Sequence, residues 1–241
     1  MTVILNFINA SKNILTIVVM VCINSIAMAM VMEKPVAYIN NQPVDAAELK
    51  REMLRHRSAI YNEYAAKFNL FKISDFWNAN LGGKRPIDSL RYRALKALIE
   101  IKVQQQLLKK HSLWPYKNYG ELLAALQQEN EQRRQKVERK EIIYGPAIYT
   151  EQSFFDYKFS NALILLKKNL YENQIVMNDS TLEKHFDFLK QQGVYSDKKV
   201  LGAVRNQVIE SFIEKEYKQI IAVMIKEVKI KIDSNFNGIS I

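Results

Sequence analysis

Cysteine is nearly absent. The 241-residue chain has one, Cys22, and it sits inside an apolar N-terminal run. Without a second thiol there is no internal disulfide, so the fold must rest on its packed core. Val19-Met20-Val21 ahead of Cys22 lacks the residues of a lipobox, which argues against a lipid-anchored cysteine. Histidine is scarce too. His56, His111 and His185 stand at no metal-ligand spacing from one another and read as surface or helix-edge residues, so neither metal nor other cofactor is expected. No strand–Ser–helix elbow is present, and Gly82-Gly83 lacks the Gly-Lys-Ser/Thr sequence of a phosphate cradle. Carboxylates are plentiful, but on helix faces they serve solvation and i,i+4 pairing. These absences leave no catalytic constellation, and no enzyme is expected.

The N-terminus is informative in the opposite sense. Lys12 is the only charge before Glu33, Ile14 to Met30 is almost wholly apolar, and the run ends in Ala27-Met28-Ala29. A small-x-small end after an apolar stretch is the pattern of signal-peptidase cleavage, so residues 1–29 read as a secretory signal. The alternative is an uncleaved anchor from Ile14 to Met32, which is about long enough for a tilted span. The expected destination is therefore the periplasm or another extracytoplasmic space, or the membrane if the segment stays. Lysine and arginine outnumber the acids 35 to 25. That excess favours acidic polypeptides or an anionic membrane surface as partners. It is spread thinly, without a polybasic block, and an exported chain rarely meets nucleic acid, which is not expected as a partner.

Residues 30–241 read as one mainly α module. Val36 to Val44 alternates like a strand, with Asn40-Asn41 as a turn, and Val228 to Asp233 alternates apolar and basic residues. A lone strand cannot satisfy its backbone, so the two ends are expected to pair antiparallel, two strands closing a helical chain. Asp45 and Glu48 form a capping box for a first helix to about Phe68, with Leu49, Met53, Ile60 and Tyr64 inward. Pro86 opens a second helix that ends near Leu113, and Tyr119 to Arg139 forms a third. From Gln127 to Glu141 that third helix is polar except for Val137, which predicts an arm of about 127–141 projecting into solvent. Thr150 caps a fourth helix, Ser180 with Glu183 boxes a short fifth to about Gln191, and Asp197 caps a long last one with Val200, Val204, Val208 and Phe212 inward. The tail from Ser234 reads as polar and frayed.

The aromatics supply the candidate site. Phe155 and Phe159 hold helical register and read as core. Phe71, Phe76 and Trp77 fall in the loop between the first two helices, where they either plug the core or line a groove. Together with Tyr144 and Tyr149 they are the candidate residues for binding another polypeptide.

The order of parts resembles the N-terminal chaperone module of the SurA and PrsA group of bacterial extracytoplasmic chaperones. The resemblance rests on the leader, on Val36 to Val44 running into Asp45-Ala46-Ala47-Glu48-Leu49, and on Arg91-Tyr92-Arg93-Ala94-Leu95-Lys96-Ala97-Leu98-Ile99 followed by Leu107-Leu108. The closing helix and terminal strand are similar as well, as is Tyr144-Gly145-Pro146 after Glu129 to Arg134. It implies ATP-independent holding of unfolded or nascent exported proteins. Relatives with prolyl isomerase activity carry a parvulin domain before the closing helix, and here only Gly193 to about Lys198 stands there, far short of the ~50 residues a domain needs. The resemblance therefore implies the scaffold without the isomerase. The alternatives are an isomerase-related foldase and an envelope adaptor for one dedicated partner.

Overall fold

The structure, a computed structural model, describes residues 34–68 and 74–241. The expected signal with its cleavage site, the alternative anchor, Cys22 and Phe71 lie outside the described residues. Within them no helix is long and apolar enough to cross a membrane.

The chain begins with a hairpin, β1 (Ala37–Ile39) and β2 (Gln42–Val44). Asn40 and Asn41 take φ of 49° and 63°, the left-handed values that a two-residue hairpin turn requires and that asparagine tolerates. The segment expected as one strand with a turn is thus two, and the sheet has three strands in the order β2-β1-β3, where β3 is Ile230–Ile232. The expected pairing of the chain ends is present. Ala37 lies opposite Ile232, Tyr38 opposite Lys231 and Ile39 opposite Ile230, antiparallel. Asn40 extends this ladder: its amide donates to the Lys229 carbonyl at 2.9 Å, and its side-chain Oδ1 accepts from the Lys229 amide at 2.9 Å.

Between the strands run six helices: α1 (Ala46–Phe68), α2 (Pro86–Lys110), α3 (Tyr119–Glu138), α4 (Glu151–Asn173), α5 (Asp179–Gln191) and α6 (Arg205–Lys226). The fold is mainly α with a small antiparallel sheet. The Asp45 amide donates to Glu48 Oε2 at 3.1 Å, the expected reach-back of the first cap. Tyr64 meets Ser89 and Glu48 meets Lys102, so α1 and α2 pack antiparallel. Gly82 (φ 63°) sits in the turn that joins them, where an added Cβ would come 2.8 Å from the Phe68 ring.

Three apolar cores follow one another. The first joins the sheet, α1 and the first half of α2 through Ile39, Leu49, Met53, Leu90 and Leu98. The second gathers Leu108, Trp114, Phe155, Leu166 and Ile221 from α2, α4, α6 and the segment after α2. The third is small, with Leu182, Phe186 and Leu189 of α5 against Val204 and Val208. Helix α2 contributes to the first two cores and α6 to the last two.

Three local expectations are corrected. Helix α5 is capped by Asn178, which exchanges hydrogen bonds with Thr181, rather than by a Ser180–Glu183 box. Helix α6 begins at Arg205, after a short 3₁₀ turn at Leu201–Ala203, and not at Asp197, so Val200 is exposed. The tail is tied down, not frayed. Phe236 is buried in the first core, Ile239 and Ile241 pack against it, and Arg91 Nε donates to the Ile239 carbonyl at 2.7 Å. Phe236→Ala should therefore cost about 3 kcal/mol of stability, the scale for emptying a buried phenylalanine site. Denaturant titration checks this, and a midpoint unchanged from the parent would show that the tail contributes nothing to the core.

Candidate functional site

Where α1 to α4 converge, charged residues are buried. Glu48, Arg51, Glu52 and Lys102 are all nearly inaccessible. Lys102 Nζ lies 2.8 Å from both oxygens of Glu48, across the α1–α2 interface. Arg51 Nε donates to Glu52 at 2.9 Å and Nη1 to the Tyr119 hydroxyl at 3.1 Å, and that hydroxyl donates onward to Glu151 at the start of α4. The remaining nitrogen, Nη2, has no hydrogen-bond partner, but the guanidinium carbon stands 3.7 Å from the Phe155 ring centroid and the ring face takes up the cation. Burial would lower the Arg51 pKa, yet Tyr119, Glu52 and Glu48 outweigh it and hold the pKa above its ordinary value. Burial pushes Tyr119 far up, so its hydroxyl stays protonated. The adjoining cavity is about 40 Å³, room for water and little else. With every charge partnered, this cluster acts as an electrostatic clamp that locks four helices together, and a wider cleft of about 590 Å³ is lined by its Arg51 and Glu151. Sequence reasoning passed over it because charged residues on a helix normally face water.

The polar half of α3 has a second use. After Glu138 the chain reverses through Lys140 (φ 57°) and runs back along the helix as a strap, residues 142–149. A segment outside any sheet must have its backbone satisfied by other groups. Asn130 does so with both ends of its amide, accepting from the Tyr149 amide at 2.8 Å and donating to the Tyr149 carbonyl at 2.9 Å. Arg133 Nη1 donates to the carbonyls of Tyr144 (3.0 Å) and Pro146 (2.7 Å), and its guanidinium lies 4.5 Å from the Tyr149 ring. So one side of the stretch expected as a free arm carries the strap, and its polar residues hold that strap's backbone.

Held in this way, the strap presents apolar side chains outward. Ile142 is 84% exposed and Tyr144 86%, with Ile148 and Tyr157 of α4 half-exposed beside them. Ile142, Tyr144 and Tyr157 border a groove of about 510 Å³ whose rim carries Lys136 and Arg133, the latter paired with Glu129 of the same rim at 2.8 Å. Exposed apolar side chains set on a hydrogen-bonded support suit an apolar polypeptide segment.

The sequence candidates separate here. Tyr144 and Tyr149 meet at this groove, Tyr149 as its buried floor with its ring 5.8 Å from that of Tyr157. Phe76 does not belong to a surface site. It is buried against Tyr61 (4.9 Å) and Trp77 (5.0 Å) and plugs the first core, so its assignment to client binding is corrected. Trp77 is half-buried over the same core, with Arg57 5.8 Å from its ring. Asn130 and Arg133 were missed, since nothing in a polar helix distinguishes side chains that bind backbone from those that bind water. His185, expected at the surface, is buried. The chain matches no protein-family model, no curated protein and no solved structure.

The clamp makes a sharp prediction. Lys102→Met leaves Glu48 buried and unpaired, at a cost of about 3–5 kcal/mol. Adding Glu48→Gln, which retains the cap on the Asp45 amide, should recover most of it. Melting curves of the two variants check this, and equal losses in single and double variants would contradict the coupling.

Proposed function

We propose that the protein holds unfolded exported polypeptides, without ATP and without prolyl isomerase activity. The observation that supports this reading best is the strap: Ile142, Tyr144 and Ile148 stand in solvent while the backbone behind them is hydrogen-bonded to Asn130 and Arg133. Such a surface binds exposed apolar segments weakly and releases them without fuel, because nothing has to open or close. The +10 formal charge of the whole chain favours acidic clients and the anionic membrane face at which exported chains emerge. The resemblance to the SurA and PrsA chaperone module agrees with this reading. It carries the weight of sequence order alone.

The surface can be altered without touching the core. Ile142→Ser with Tyr144→Ser should leave the melting temperature within the range of ordinary surface changes, about 0.5 kcal/mol. The same variant should lose much of the wild type's ability to delay aggregation of a chemically unfolded client. Light scattering at equimolar protein and client reads this directly. Equal protection by variant and wild type would contradict the strap as the holding surface. Capture of one stoichiometric partner with no general protection would support the adaptor reading instead, and acceleration of proline-limited refolding would support the isomerase.

A further inference from the structure

Helices α5 and α6 leave between them an open cleft of about 380 Å³, lined by Thr181, Lys184, His185, Phe188, Phe212 and Lys215. Its wall is almost entirely apolar. Phe188 is 48% exposed, while Phe212 is buried beneath it. The His185 imidazole lies between the two rings, 6.1 Å from Phe188 and 5.4 Å from Phe212 by centroids. Its Nε2 is 3.0 Å from Ser211 Oγ, but its Nδ1 is buried with no partner. An unpartnered nitrogen on a residue 95% removed from solvent is uncommon and costs stability unless something meets it. Burial, and Lys215 nearby, hold the imidazole below its ordinary pKa, so it is neutral and can donate from Nδ1 when Nε2 accepts from the serine.

Two lysines flank this apolar wall, and no carboxylate lines it. Lys215 Nζ is 3.6 Å from Glu216, a loose pair, and 5.5 Å from the Phe212 ring, while Lys184 has no ion pair among the described residues. An apolar slot flanked by two ammonium groups, with a buried imidazole in its wall, is complementary to one apolar side chain bearing an anion beside it. The volume is near the lower end for ligand pockets, enough for one or two side chains. That size suits the end of a chain better than an internal segment, which would have to leave on both sides. Ile241 does not supply the occupant, because it packs against the first core.

We propose that the α5–α6 cleft binds the C-terminal end of another polypeptide, with the terminal carboxylate held by Lys184 and Lys215 and the last, apolar side chain against Phe188 and Phe212. The site is separate from the strap and does not depend on the holding activity, since a protein that never delayed aggregation could still bind a chain end here.

Fluorescence anisotropy with the purified full-length protein tests this, using a short labelled Gly-Ser peptide that ends in phenylalanine, as the free acid and as the amide. The acid should bind saturably, and the amide about tenfold more weakly, the scale of a charge-assisted contact. Lys184→Gln with Lys215→Gln should weaken the acid about tenfold and leave the amide unchanged. Phe188→Ala should weaken both, and the His185 ring resonances should shift on adding the acid only. Both lysines and Phe188 reach solvent, so these variants remain folded, which the melting curve confirms. Equal binding of acid and amide, undiminished binding of the acid by the double lysine variant, or no saturable binding of the acid would each overturn the proposal.

Discussion

Strand β1 is three residues long and has partners on both sides: β2 from the adjacent hairpin and β3 from the far end of the chain. Everything else is arranged by that. Val36, Ala37 and Ile39 are almost fully buried, so their backbone groups need ladder partners. The hairpin can supply only one side. The other side is closed by residues far along the sequence, as in the bonds between Asn40 and Lys229 and between Asp233 and Val36. Closing so long a loop costs entropy, though the cost grows only logarithmically with length. The burial of Phe236 directly after the strand, and the grip of Arg91 on Ile239, offset it.

That closure brings the end of α6 back to the start of the chain. Val228 packs against both the first and the second core, so the three cores are linked by shared elements and not merely by sequence. The buried clamp of Glu48, Lys102, Arg51 and Tyr119 lies beside this junction and fixes α1, α2, α3 and α4 to one another. The strap reaches it through Tyr149, two residues before Glu151, whereas the cleft between α5 and α6 shares none of its residues. The strap lies on α3 and α4, the carboxylate cleft between α5 and α6, and both expose aromatic side chains on elements whose backbones are already satisfied. A rigid support with exposed apolar groups is what weak, unfuelled binding requires.

Much of this was legible in the sequence, for identifiable reasons. Alternation around Asn40-Asn41 announced a strand and turn, and the demand of an isolated strand for a partner announced the pairing of the ends. Helical spacing at Leu49, Met53 and Ile60 named the core face of α1. What failed were features that depend on tertiary neighbours. Several residues near α5 and α6 could cap a helix, and packing of Val204 and Val208 against α5 decided among them. Phe236, Ile239 and Ile241 are scattered among polar residues of the tail, with no helical or strand run to reveal their burial. Tyr144 and Tyr149 were found as aromatics near a Gly-Pro break, but the groove they share exists only because Asn130 and Arg133 fold the strap back. The ion pair between Glu48 and Lys102 joins positions 54 residues apart, a relation no local pattern encodes.

The central claim is that β3 holds the fold shut, and native-state hydrogen exchange tests it residue by residue. The amides of Asn40 and Asp233 donate across the β1–β3 junction, to Lys229 and Val36. If closure by the chain ends is a condition of the whole structure, these two amides exchange only by global unfolding, at the same free energy as amides in the buried middle of α2 such as Leu98. Fast exchange of Asn40 and Asp233 while the α2 amides stay protected would show that β3 frays freely and that the helices hold themselves together without it.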